Sequence, residues 1–438
     1  MNPIEYLYLL IGTNPLSNYV VADYFLKNEN LKEIHLIHSA EDLENGILST
    51  ELYASNLKSA LEEKLPSGRN IRFLLHEIHI RDAFSIRHDV RSLLSDFEKF
   101  HGQNIQNIHL NYSGGTKEMV LHTYETFKDV FQNRVTFSYF DSRRNHLKED
   151  PITEEPDESV YLGDKVQINF NNLFKLHGYQ ILPSEENSGS AFSISFFKDF
   201  LEAISKPENF CEYLKWRKHF FNVYPEPKHI VPAEGFIRLE DLLPPEFIIS
   251  EILKETLFLK IHNEMPEYSV LEEWEGQNGE YYLRTEISNK QMSKLIETRK
   301  YITGHWFEQY VYLVLKENLF DTKIVSDIDL NILVQTAKKN FEIDVALIKG
   351  YELCGISCTT DKTQSLCKSK GFEILHRTKQ IAGDNSKAIL MTFMNENNTH
   401  ELDVDLSDIL EDRLLVLGLN DLFPKEKFCE KVTDFLDR

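Results

Sequence analysis

Two stretches of the chain set donors, cations and carboxylates at spacings that could do chemistry. The first is Asn111-Tyr112-Ser113-Gly114-Gly115-Thr116-Lys117. Adjacent glycines let the backbone take positive φ and bring bare N–H groups close to a ligand. Ser113 and Thr116 add hydroxyls and Lys117 adds a cation. A helical pattern (Met119, His122, Thr126, Phe127, Val130) follows at once, and a helix N-terminus attracts anions. These residue types predict a phosphate cradle, although the G-x-x-x-x-G-K-[ST] spacing of a P-loop is absent. A tight strand-to-helix turn would carry the same glycines, and the residues alone leave that reading open. A second turn, Gly12-Thr13-Asn14, offers further hydroxyl and amide donors.

The second stretch is Asn340-Phe341-Glu342-Ile343-Asp344-Val345, an apolar strand with Asp344 near its end and Glu342 two residues earlier, on the same face by the period of two. Glu308 lies on the preceding helix, within Gly304-His305-Trp306-Phe307-Glu308. Glu308 and Asp344 are the candidate ligands of a divalent metal, Mn2+ or Mg2+. Metal-assisted phosphodiester cleavage uses such an ion to polarise the phosphate and acidify its bound water, together with a lysine. In the restriction-endonuclease-like cores that this arrangement resembles, Glu-x-Lys stands on the next strand; here the register falls on Ser357-Cys358-Thr359. Two expectations follow. Either cleavage has been lost and a binding platform remains, or the charged groups have moved to the next helix. There Lys370, Glu373, Arg377 and Gln380 share a face, and Lys370 and Glu373 are the catalytic substitutes. Cys354, Cys358 and Cys367 lack paired C-x-x-C spacing and read as buried thiols rather than a zinc site.

The elements that must position these residues form two alternating runs. Residues 1–140 read as strand Ile4–Ile11, a helix through Val20 and Phe25, strand Glu33–His38, helix Ser49–Lys64, strand Ile71–Glu77, helix Ser85–Phe100, strand Ile105–Leu110, the helix after Lys117, and strand Arg134–Phe140. That alternation predicts a doubly wound α/β domain, whose ligands sit beyond the carboxyl ends of the strands. Both glycine turns fall there, and could face one ligand. The dinucleotide fingerprint G-x-G-x-x-G is missing, which argues against NAD. An acidic, Pro-bearing linker follows at Glu149–Glu158, then a strand at Val166–Phe170, a short helix at Asn172–Gly178, and a mostly helical region with pieces at Phe196–Ala203 and Phe247–Phe258. From residue 289 the pattern sharpens: one long helix or a helix pair over Gln291–Asn318, an extended Lys323–Val334, strands Asn340–Ile348 and Tyr351–Thr359 joined by Lys349-Gly350, helix Thr363–Ile381 and strand Ala388–Thr392. The division is 1–148, 149–288 and 289–438.

Composition bounds the rest. At 438 residues, 42% of them apolar, the chain has material for several packed cores. Its net charge of −22 argues against unspecific adhesion to nucleic acid. A local basic groove with bound metal can still reverse the sign. No apolar run approaches the ~20 residues of a membrane span, and five cysteines without a framework suit a reducing compartment, so a cytoplasmic protein is expected.

Taken together, Gly12-Thr13-Asn14-Pro15, Asn111–Met119, Gly304–Glu308, Phe341–Asp344 and Arg377–Gly383 resemble the CRISPR-associated Rossmann-fold (CARF) sensors fused to PD-(D/E)XK nuclease domains. The resemblance covers the first 145 residues and the last 150 or so well, and the middle only loosely. It implies an α/β fold with a Rossmann-like sensor, a mainly helical connecting region and a restriction-endonuclease-like domain. It implies a homodimer that binds a cyclic oligoadenylate, taken as cyclic tetra-adenylate, and then cuts DNA or RNA in type III CRISPR antiviral defence. Gly12, Thr13, Asn14, Asn111, Ser113, Gly114, Gly115, Thr116 and Lys117 would bind the ring. Glu308 and Asp344 would hold the metal, with Lys370 and Glu373 beside them. The alternative is a non-catalytic sensor whose degenerate nuclease domain binds nucleic acid or a partner. A nucleotide enzyme acting at the Gly12 and Gly114 turns is a further reading, without a clear general base there.

Overall fold

The computed structural model describes the chain except residues 1–3, 104, 151–158, 183–191, 224–253, 274–280, 284–288, 337–338, 384–385 and 411. The expected linker after Asp150, the Pro-bearing turns of 225–245 and the start of the Phe247–Phe258 helix lie outside the described residues. No described helix is long and apolar enough to cross a membrane.

The first lobe runs β1 (Tyr6–Leu10), α1 (Leu16–Phe25), β2 (Glu33–Ser39), α2 (Glu51–Glu62), β3 (Arg72–Ile78), α3 (Ala83–His101), β4 (Ile108–Asn111), α4 (Lys117–Phe131), β5 (Val135–Asp141), β6 (His146–Glu149) and β7 (Ser159–Tyr161). Strand order is β3-β2-β1-β4-β5-β6-β7, parallel through β5 and antiparallel at β6 and β7. β1 is central, and all five of its residues are buried, as a strand covered on both faces must be. Leu7 and Leu9 pack against α1 and α2, whereas Tyr6, Tyr8 and Leu10 face α3 and α4. The doubly wound α/β expectation holds.

Two groups of buried polar side chains in this lobe bond one another. Glu33 accepts from Arg72 and from His35 Nε2 (3.0 Å) and lies 3.2 Å from His101 Nε2, and His35 Nδ1 meets His76 Nε2 at 2.9 Å. Burial alone would raise the Glu33 carboxyl; His35, His101 and Arg72 overturn that and hold it at about 2. Burial, with His35 and His38 nearby, pushes the His76 imidazole down to about 4. His109 is wholly buried between the hydroxyls of Thr136 and Ser138, both at 2.7 Å, and burial takes it to about 3.

Helix α5 (Phe170–Leu176) and β8 (Gln180–Leu182) lead to the second lobe. The expected strand Val166–Phe170 is absent. Val166, Ile168 and Phe170 are buried like alternate strand residues, but the segment makes one backbone bond to the second lobe, Ile168 N to Gly350 O at 3.0 Å, and Phe170 already opens α5. Burial between lobes, not sheet pairing, wrote that apolar alternation.

Helices α6 (Lys198–Ile204), α7 (Pro207–Val223) and α8 (Lys260–Glu264) and the hairpin β9 (Leu271–Glu273) with β10 (Tyr281–Leu283) come next. The predicted helix pair is α9 (Asn289–Lys300) and α10 (Trp306–Leu315), joined by a wide π-helical turn at Tyr301–His305. β11 (Asp327–Gln335), β12 (Phe341–Lys349), β13 (Glu352–Cys358), α11 (Gln364–Ala382), β14 (Lys387–Met391), α12 (Glu396–Leu410), β15 (Leu414–Leu417) and α13 (Lys425–Asp437) complete the lobe. Its sheet is β15-β14-β13-β12-β11-β8, with β8 as an edge drawn from the connecting segment.

One irregularity in this sheet positions a site. On β11, Ile328 and Leu330 pack into the core with α10 and α13, but Ile332 and Val334 pack into the opposite core. On β12, Phe341 and Ile343 belong to the second core and Val345 and Leu347 to the first. Both strands thus change face at Asn331 and Asp344, where the paired register skips and Asn331 takes the left-handed φ of +54°. The second core runs on into the first lobe: Leu9 and Phe140 share it with Ile343, Tyr351 and Ile374.

Candidate functional site

β1 and β4 are parallel neighbours with Leu9 opposite Asn111, so the turns that follow them leave the same end of the sheet side by side. Their backbones touch: a Cβ on Gly12 would lie 3.0 Å from the Gly115 nitrogen. A Cβ on Gly114 would run into Leu10 O and stand 2.7 Å from Asn18 Oδ1, and Gly115 takes φ +83°. Only glycine serves at these two positions. Thr116 caps α4, its hydroxyl accepting from Met119 N at 3.2 Å. Thr13, Thr116 and Lys117 are exposed, and no ion pair of Lys117 forms among the described residues. Free amides, a helix N-terminus and an uncommitted ammonium therefore face the same open surface.

Other predicted ligand residues are spent on building the turns. Asn111 is fully buried; its amide donates to Ser138 Oγ (2.8 Å) and accepts from Ser113 N (3.2 Å). The Ser113 hydroxyl accepts from Phe140 N at 2.7 Å, which ties the turn to β5. Asn14 Oδ1 accepts from Leu16 N (3.2 Å) and meets His177 Nε2 at 3.1 Å. The Asn14 amide also lies over Gly383, the residue that ends α11, at φ +72°, where a Cβ would collide with its nitrogen. The first turn thereby touches the second lobe.

Sequence reasoning missed two supports. Asn18 donates to Leu10 O at 3.0 Å from inside α1, and a buried amide on a helix face was the available signal. Asp150, read as linker, accepts from Tyr112 (2.6 Å) and Tyr124 (2.9 Å). Burial and this hydrogen bond raise the Tyr124 hydroxyl to about 12. A cleft of about 450 Å³ lies over these tyrosines and Lys117.

The second lobe gathers its charged groups around Asp344. Its Oδ2 accepts from Cys358 N (2.6 Å) and Ser357 Oγ (3.2 Å). Burial raises its pKa, against the Cys358 N–H and the positive fields of Lys370 and His305. The Cys358 thiol is pushed well up, first by burial and then by the negative fields of Asp344 and Glu308. Glu308, Asp344 and Lys370 therefore share one neighbourhood, with His305 from the π-helical turn beside them. Arg217, on α7, bonds Thr303 O (3.0 Å from Nε) and Thr360 Oγ1 (2.7 Å) at its margin. Arg217 had no sequence signal, and His305 was legible only as part of the Gly304–Glu308 motif, with no role of its own. Glu373 stands apart: its exposed carboxylate pairs with Arg377 at 3.7 Å. Glu342 is exposed, and the change of face at Asp344 breaks the period-of-two argument that joined the two.

Among the described residues no three His, Cys, Asp or Glu side chains converge as ligands of one ion. The two carboxylates Glu308 and Asp344 fit a hard dication that keeps most of its own waters, and do not fit a closed, protein-only site.

No protein-family model matches the chain, and no curated protein matches its sequence. Solved structures do match its fold. One is protein VC1899 from Vibrio cholerae, 16% identical, covering 100% of this chain and 99% of that one at a TM-score of 0.61. Another is Can2 from Sulfobacillus thermosulfidooxidans in complex with cyclic tetra-adenylate, 15% identical, covering 99% of this chain and 100% of that one at a TM-score of 0.60. Both likenesses run the length of the chain. At these identities they establish the architecture: a Rossmann-like α/β lobe followed by a further α/β lobe.

Proposed function

We propose that this protein senses a cyclic oligoadenylate at the paired turns of its first lobe and, when bound, cuts nucleic acid at the Asp344 centre of its second, in type III CRISPR antiviral defence. The observation that carries the reading is the meeting of the Gly12 and Gly115 turns beside an uncommitted Lys117. The whole-length fold likeness to a structure holding cyclic tetra-adenylate supports it.

Two copies, related by a two-fold axis, would present duplicate turns to a ring that carries the same symmetry. Lys117, Thr116 and the Gly114-Gly115 amides would hold phosphate and ribose. Thr13 would reach a sugar or base edge, while Asn111, Ser113 and Asn14 keep the turns in shape. In the second lobe Glu308 and Asp344 would hold Mn2+ or Mg2+, which supplies a polarised phosphate and a more acidic water. Lys370, whose positive field favours the charged form of Asp344, would substitute for the missing strand lysine. The nucleic acid would be DNA, RNA or both.

A second reading rests on a specific observation. Ser357 and Thr359 replace the usual carboxylate and lysine, and Asp344 spends Oδ2 on the backbone of β13. On that reading the lobe binds nucleic acid or a partner without cutting. Cleavage of labelled single-stranded RNA, single-stranded DNA and supercoiled plasmid decides, with Mn2+ or Mg2+ and with cyclic tetra- or hexa-adenylate present or withheld. Cutting that needs both metal and ring supports the nuclease. Tight ring binding without cutting leaves the non-catalytic sensor.

A further inference from the structure

Between the lobes, away from both sites described so far, lies a cleft of about 750 Å³. One wall is the β5–β6 turn, Ser142–His146; the other is the β12–β13 turn, Lys349–Glu352, with the start of β14. That volume lies within the range of small-molecule sites.

Its charge runs against that of the whole protein. In a chain of net charge −22 the cleft collects arginines and lysines. Lys349 pairs with Asp437, and Lys387 pairs with Glu352 at 3.4 Å. Arg143 and Arg144 are exposed, and neither forms an ion pair among the described residues. Two adjacent guanidiniums beside further cations repel one another unless an anion lies between them, and the planar guanidinium is suited to bidentate phosphate contacts.

Buried polar atoms in the same walls also lack partners. Tyr351 is 1% exposed, and its hydroxyl has no hydrogen bond among the described residues. Asn145 donates to Glu352 Oε1 at 2.6 Å, but its own Oδ1 has no partner among the described residues. Such groups are costly to leave unmet. At the rim the rings of His146 and Tyr161 lie 5.5 Å apart, and Tyr161 is 47% exposed. Cations for phosphate, a neutral donor and acceptor for sugar or base, and an exposed aromatic face for stacking occur together. Such a ring accepts any base, because every base has a π-face.

From this we infer that the cleft between the lobes is a binding site for a phosphate-bearing nucleotide, separate from the ring-sensing turns. The phosphates lie against Arg143 and Arg144, the base lies on Tyr161, and the bound nucleotide bridges the two lobes. The inference does not depend on the proposed function, because none of its groups belongs to the turns or to the Asp344 centre.

The test is calorimetric titration of the full chain with ATP, tripolyphosphate and adenosine. ATP is expected to bind, and the double variant Arg143→Ala/Arg144→Ala to weaken ATP and tripolyphosphate at least tenfold. Both side chains are exposed, so the fold is retained. Tyr161→Ala should weaken ATP several-fold and leave tripolyphosphate unchanged, and Tyr351→Phe should weaken ATP. Lys117→Ala should leave ATP binding as it was. No ATP binding at millimolar concentration overturns the inference, as does binding indifferent to the double variant. Loss of ATP binding in Lys117→Ala would place the anion at the sensing turns instead. ATP binding no tighter than tripolyphosphate and indifferent to Tyr161→Ala would refute the nucleotide assignment.

Discussion

The two candidate sites are made of opposite materials. At the paired turns the reactive surface is backbone: Gly114 and Gly115 strip away side chains so that amides stand open beside an exposed lysine. At Asp344 the groups are side chains brought in from β12, α10 and α11, largely withdrawn from solvent and opposed in sign. A site that must only grip an anion can be written in one contiguous stretch. A site that must tune a carboxylate needs several elements, and its parts are scattered through the sequence.

Substitution should expose that difference, most severely at the tuned carboxylate. Asp344→Asn keeps an oxygen for Cys358 N but removes the charge, and cutting in the presence of metal and ring should fall by at least ~100-fold. Ring affinity should stay within a factor of two. Cutting at the original rate would end the nuclease reading. Next in size is Lys117→Ala, which takes one charge-assisted contact from a phosphate, worth ~1.5–3 kcal/mol, or roughly 10- to 100-fold in ring affinity. The melting temperature should hold, because the ammonium has no ion pair to lose among the described residues. Calorimetry with cyclic tetra-adenylate reads the first, and thermal melting reads the second.

A smaller effect is expected at Lys370→Met. Its positive field lowers the Asp344 pKa, so its loss should raise that pKa and move the acid limb of the pH–rate profile to higher pH. An unmoved limb would detach Lys370 from the centre. The mildest comparison is between the lobes themselves in acid. His109 and His76 carry folded values of about 3 and about 4 against an ordinary 6.5, so the unfolded chain binds more protons below pH 6.5. Their contribution is complete above that pH and is lost as pH falls toward those values. Glu33, at about 2, adds a loss below 4.5. In the second lobe the signs reverse: burial raises Asp327, Asp329, Asp344 and Asp403. The folded lobe then holds protons the unfolded chain has released, and acid relieves it. Hydrogen exchange at pH 7.5 and pH 4.5 should show protection falling further in β1, β2 and β4 than in β12 and β14. Equal losses would refute the assignment.

Local periodicity made much of this architecture legible. The strands of the first lobe through β5 were visible as apolar runs, unbroken in β1 because both its faces are covered, and the turns were visible because glycine does there what no other residue can. Asp344 was visible as an acid in an apolar strand. What stayed hidden depends on partners remote in sequence. The apolar alternation of Val166, Ile168 and Phe170 is that of a strand, yet the neighbour it needs is another lobe rather than another strand. Asn111 looked available until β5 placed Ser138 beside it. Glu342 looked like a companion of Asp344 because no local rule announces that two strands change face together at Asn331 and Asp344.

Helix α11 touches the first turn at one end, where Gly383 lies under Asn14, and carries Lys370 beside Asp344 near the other. In mechanical terms it is a strut. The 13 residues from Lys370 to Gly383 span ~20 Å at 1.5 Å per residue, and a helix transmits a push along its axis with little loss. Whatever displaces Asn14 therefore bears on a lysine whose positive field reaches Asp344. Gly383→Ala would seat a methyl in that joint. Ring affinity that holds while stimulated cutting declines is the mark of a loaded strut; unchanged stimulation would make α11 a bystander.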